Sequence, residues 1–211
     1  MLEVNELISR LGFWSAVLTF VFGVGFIVAQ FFQFAGIPAA PWHLITLTFP
    51  SFLLAPSFVI LMISVYHYAA AERKIWGHIA IAFAIMYATL NSAVYFVQMT
   101  VVVPSTLNGA GSAVASITLS IGTFIYAFDV LGYSFMGLAT LFAAFVFVGG
   151  AIERWTRWAL LANGLITTPG LLLQQQIPAA FYLGAVWIIT FPLATALLAV
   201  LFKRESTQVM V

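Results

Sequence analysis

Long apolar runs alternate along this chain with short polar or charged punctuation. Arg10 precedes a run over 12–36. A second run covers 51–71 and ends at Glu72, Arg73 and Lys74, and a third covers 75–103 and ends at Pro104. The polar stretch 105–112 leads into a fourth run, 113–148. Glu153 and Arg154 precede a fifth, 155–173, and Gln174, Gln175 and Gln176 separate it from a sixth, 179–203. A helix needs about 20 apolar residues to cross hydrocarbon, so the pattern predicts six spans. Periodicity inside the runs adds little, because lipid-facing and core-facing positions are both apolar.

The predicted fold is all-α: a polytopic membrane protein, a six-transmembrane-helix bundle in a single domain over 1–211. With the N-terminus cytoplasmic, the cytoplasmic segments are 1–11, 72–74, 149–157 and 203–211. Those segments hold all seven Lys and Arg. The segments 37–50, 104–112 and 174–178 hold none, so basic residues on the inner side place both termini in the cytoplasm. Trp42, Trp76, Trp155, Trp158 and Tyr182 lie near run ends, as interfacial anchors do. The opening residues carry Glu3 and Glu6, and the run behind them is too long for a signal-peptide core. It therefore reads as a retained first span. The bacterial inner membrane is the expected location.

Two segments do not fit one plain span each. As a single helix, 113–148 would be about 54 Å long, against a hydrocarbon core of about 30 Å. Its first turns either project beyond the membrane or the chain bends near Gly122. Pro38, Pro41 and Pro50 predict an ordered external loop over 37–50.

Composition agrees with the pattern. Of 211 residues, 64% are hydrophobic and 6% are charged, whereas soluble domains carry about 25% charged residues. The net charge of +1 leaves no basic field for nucleic acid. The absence of cysteine excludes disulfides, thiolate metal sites and Cys nucleophiles.

Candidate chemistry is confined to a few polar residues inside the runs. Tyr87, Asn91, Tyr95 and Gln98 fall on one face of the third span, and Tyr126, Asp129 and Tyr133 on one face of the fourth. Counted from their inner ends, Asn91 and Asp129 differ in depth by about 5 Å, so they are expected to meet. An Asp at a span centre costs roughly 2.5–3.5 kcal/mol to insert, while one interhelical hydrogen bond returns about 0.6 kcal/mol on average. Asp129 therefore requires several donors, a proton of its own, or water. With no Lys or Arg at its depth, it reads as at least partly protonated.

Ionisable groups inside a membrane point to function. The first expectation is a mid-membrane pocket between spans three and four that binds or transports a small, largely apolar or cationic ligand. Its ligand-binding residues are Asp129, Asn91, Tyr95, Gln98, Tyr126 and Tyr133. A second possibility is a non-catalytic structural or accessory subunit, with membrane-protein partners or a second copy of the chain. A third, a membrane-embedded enzyme acting on a lipid, lacks a second ionisable group at that depth. No catalytic or metal-ligating residues are assigned. Gln30, Gln33 and Gln174–Gln176 are candidates for an external vestibule, with interfacial residues as the plainer reading. His67 and His78 flank the turn after span two. A haem between them is conceivable, but no cofactor is implied. Beyond the lipid bilayer, partners are open.

Overall fold

The computed structural model describes the backbone of residues 2–209 and the side chains of residues 6–207. The terminal residues 1, 210 and 211 and the side chain of Glu3, used above to place the ends, lie outside the described residues. Among those described, all regular structure is helical, with no strand. Helix α1 spans Leu2–Phe34, and a short linker leads into α2, Trp42–Tyr68. A tight turn at Ala71–Arg73 reverses the chain into α3, Lys74–Val97. A π-turn, Gln98–Val102, joins α3 to α4, Val103–Leu107. The 3-10 segment Gly111–Ile117 then leads to α5, Phe124–Ala143. Helix α6, Ala151–Ala162, passes through a second π-turn, Asn163–Thr167, into α7, Thr168–Leu173. Helix α8, Ala180–Ala185, is followed by α9, Trp187–Val209.

Five helical segments are long and apolar enough to cross a bilayer: Glu6–Phe34, Trp42–Tyr68, Ala71–Leu107, Phe124–Val146 and Ala180–Thr207. That length and composition mark a multi-pass membrane protein. The remaining segment, α6 through α7, falls short of the same measure. Glu153, Arg154 and Arg157 lie in its first turns and Asn163, Thr167 and Thr168 at its middle. It nonetheless packs between α5 and α9. Its polar middle faces protein: Asn163 donates to Thr140 Oγ1 at 2.9 Å and accepts from the Thr190 hydroxyl at 2.8 Å.

Several boundaries differ from the sequence reading, each for a local reason. The predicted loop 37–50 shrinks, because α2 begins at Trp42 and continues through Pro50 and Pro56. Hydroxyls back-bond to helix carbonyls beside these prolines, Ser51 to Leu47 at 3.2 Å and Ser57 to Leu54 at 2.9 Å, the kind of local support that lets membrane helices keep proline. Pro104 does not end the third span. The π-turn before it rearranges the carbonyls that a proline cannot serve. Pro169 follows the second π-turn at the same spacing.

In the long fourth run, the bend is the alternative adopted. Gly122 takes φ +89°, a conformation that suits glycine. Thr123 then caps α5 by accepting from the Tyr126 amide at 3.3 Å. The helix therefore starts at Phe124, and Asp129 lies about 8 Å along its axis from that start. Asp129 thus sits nearer the end of the bundle remote from the basic segments than the middle.

Around the bundle, neighbours follow chain order: α1 packs on α2, α2 on α3, α3 on α5, α5 on α7, α6 on α9, and α9 back on α1. The closed ring surrounds a core whose largest buried side chains include Tyr87, Tyr95, Phe58 and Phe191.

Candidate functional site

Asn91 and Asp129 meet across the antiparallel pair α3–α5. The Asn91 amide donates to Asp129 Oδ1 at 2.9 Å and to the Tyr95 hydroxyl at 3.2 Å. The Tyr95 hydroxyl donates to that of Tyr133 at 2.9 Å, and Tyr133 reaches Ser51 Oγ on α2 at 3.5 Å. Asn91 and Tyr95 are fully buried, and Asp129 and Tyr133 keep 8% exposure each. Gly132 makes the approach possible. A Cβ there would fall on Asn91 Oδ1, an oxygen that has no hydrogen-bond partner. The chain of polar contacts therefore runs across three helices from Asp129, with every link inside the bundle.

Gln98 is buried but belongs elsewhere. Its amide donates to the Ile117 carbonyl at 2.9 Å and accepts from the Leu119 amide at 2.8 Å. Two backbone groups of the connection before α5 are thereby satisfied by one side chain. Gln98 thus anchors the α4–α5 connection, and is not drawn into the Asp129 contacts.

The cavity at Asp129 is not in the α3–α5 seam. That seam is filled by Asn91 and the tyrosines. A cavity of about 150 Å3 opens on the other side of α5, against α1, α7, α8 and α9. Tyr126, Asp129 and Tyr133 line it from α5, and Phe26, Gln30 and Phe34 from α1. Leu171 and Gln174 line it from the α7 side, Phe181 and Gly184 from α8, and Trp187 from α9. Asn91, Tyr95 and Gln98 do not line it. Of the glutamines considered for a vestibule, Gln30 and Gln174 reach the wall, while Gln175 and Gln176 are exposed.

The cavity has one acid and no base among its lining residues. Its polar groups are the Asp129 carboxyl, the two glutamine amides, the tyrosine hydroxyls and the Trp187 indole. The Trp187 N–H is buried and lacks a partner. Toward the basic end, an aromatic stack closes the space. Trp187 stacks on Phe191 with centroids 4.9 Å apart, and Tyr133 stacks on Phe26 at 5.7 Å. Phe58 meets Phe191 at 6.0 Å and Tyr87 at 5.7 Å, completing the plug from α2 and α3.

Trp187, Phe26 and the α7–α8 hairpin carry no signal in the sequence, since buried and lipid-facing aromatics look alike there. The hairpin's compactness does have a mark, in Gly170 and Gly184. A Cβ on Gly170 would run into the Gly184 backbone, so the two half-helices touch main chain to main chain.

His67 and His78 both pack on the Tyr66 ring, at 5.0 and 4.3 Å between centroids, and both imidazoles are exposed. Among the described residues, no three His, Asp or Glu side chains gather as a metal site would require. No protein-family model, curated protein or solved structure matches this chain.

Proposed function

We propose that this chain is a six-span protein with both termini cytoplasmic, and that it binds a small, largely apolar or cationic ligand in the cavity beside Asp129. Counting α6–α7 as the sixth span rests on its packing between α5 and α9, and on the seven basic residues then falling on one side. The bacterial inner membrane remains the expected location. The cavity carries the functional reading. A mostly aromatic chamber with a few convergent polar groups is the usual form of a small-ligand site, and about 150 Å3 is enough to admit a benzene-sized body.

Each group then has a task. Asp129 receives a cation or hydrogen-bond donor, while Asn91 steadies its other side through Oδ1. The ring of Tyr126 favours a cationic head, and the Tyr133 hydroxyl side adds a polar wall. Phe26, Phe34 and Phe181 enclose the apolar body. The aromatic plug blocks passage toward the basic end, which favours binding from the remote end, as in a receptor, a sensor or one state of a carrier.

Ala185 also lines the cavity, so Ala185→Phe should fill it from a rigid wall. Benzylamine is expected to raise the melting temperature of detergent-solubilised wild-type protein and to leave that of the Phe variant unmoved. An equal shift in both proteins would remove the cavity from the function.

A further inference from the structure

A second cavity, of about 460 Å3, lies at the basic end of the bundle. Its walls are Phe147, Val148 and Gly149, which follow α5, and Arg154, Arg157 and Trp158 on α6. Glu153 and Arg157 are spaced i, i+4 with the acid first, the arrangement that best forms an ion pair on a helix. That pair is not made. Glu153 turns away and accepts from the Tyr68 hydroxyl at 2.7 Å through one oxygen. Through the other it accepts from the amides of Val148 at 2.9 Å and Gly149 at 2.7 Å. Among the described residues the single ion pair joins Arg10 to Glu6. Arg73, by contrast, is used internally and donates to the Phe145 carbonyl at 2.8 Å. Arg154 and Arg157 thus share one cavity with no ion-pair partner among the described residues, while the Glu153 carboxylate is held against the cavity wall by the amides of Val148 and Gly149.

We propose that this cavity holds the phosphate of an anionic phospholipid headgroup. Planar guanidinium forks match phosphate oxygens in pairs. The apolar part of the wall faces outward: Val148 and Trp158 are 52% and 61% exposed. Tryptophan prefers the headgroup level, which puts the arginines where lipid phosphates lie. With the orientation proposed above, which this inference rests on, the arginines face the cytoplasmic leaflet, where anionic headgroups attract basic residues beside the membrane. The exposed apolar rim selects a lipid over a free anion, because it offers its surface to the glycerol and first acyl carbons. This site is independent of the Asp129 cavity.

Melting temperatures in nanodiscs provide the test. Discs containing phosphatidylglycerol should raise the wild-type value by roughly 2–4 °C over phosphatidylcholine discs. Arg154→Gln with Arg157→Gln should abolish that rise, whereas Lys203→Gln with Arg204→Gln, at the same end of the bundle, should keep it. Should the first pair fail to fold, Arg154→Lys with Arg157→Lys retains charge without the fork and should lose most of the rise. Inorganic phosphate added to phosphatidylcholine discs should produce none. The proposal is overturned by a full rise in either Arg154/Arg157 variant, by its equal loss in the Lys203/Arg204 variant, or by free phosphate reproducing it.

Discussion

Asn91 occupies the space in which a side chain at position 132 would begin. The glycine is what allows the Asn91 amide to reach Asp129 across the α3–α5 seam. Gly132→Ala must push Asn91 or its helix aside. Overpacking a buried contact costs about 1–3 kcal/mol, so thermal unfolding in detergent should show a clear loss. Ala at Gly150, where a Cβ meets nothing within 4 Å, serves as the control and should cost far less.

Tyr95 links Asn91 to Tyr133. Tyr95→Phe keeps the ring and removes both hydrogen bonds. Only the bond to Tyr133 crosses between helices, and such bonds in membranes average about 0.6 kcal/mol, so a modest destabilisation of about that size is expected, with the helical circular-dichroism signal unchanged. A loss several times larger would mean that the hydroxyl also holds Asp129.

Gln98 holds both the Ile117 carbonyl and the Leu119 amide. Gln98→Leu fills similar space and strands two backbone groups, each costing about 1–3 kcal/mol when left unsatisfied. Amide hydrogen exchange should rise at Leu119 and across the connection into α5, while exchange in α2 stays as in wild type. Uniform acceleration along the whole chain would contradict a local anchor.

Topology is open to direct labelling, because the chain has no cysteine of its own. Ser105→Cys should react with an impermeant thiol reagent added to intact cells, and Ser206→Cys should not. Reaction of both, or the reverse pattern, would contradict six spans with cytoplasmic termini.

Much of the helical layout was legible in the sequence because charge and apolar length are coarse signals. Arg73 and Lys74, or Lys203 and Arg204, end a run unmistakably. The meeting of Asn91 with Asp129 was legible too, since polar residues at i, i+4 spacing stand out on an apolar helix. The cavity was not. Its walls at Phe26, Phe181 and Trp187 have the same composition as the lipid-facing surface, so nothing in the pattern assigns them inward. Gln98 was misplaced for a related reason. Helical spacing gives the face of a side chain, but the loop backbone that it anchors comes from a bend at Gly122 that composition alone left as one of two alternatives. Glu153 was read as part of a charged cluster, and its partners, the Tyr68 hydroxyl and two loop amides, depend on tertiary packing.

The role of Asp129 is the central claim, and Asp129→Asn tests it most directly. The amide is close in shape and can keep the contact with Asn91, but it cannot carry negative charge. Asp129→Ala, which removes one of the two acceptors of the Asn91 amide and leaves space in the buried contact, should be the less stable of the two variants. The decisive measurement is the melting temperature of the Asn variant with and without benzylamine, beside wild type. The expected result is a near wild-type melting temperature without ligand and no benzylamine shift. A shift equal to that of wild type would contradict a ligand-binding role for the Asp129 carboxylate.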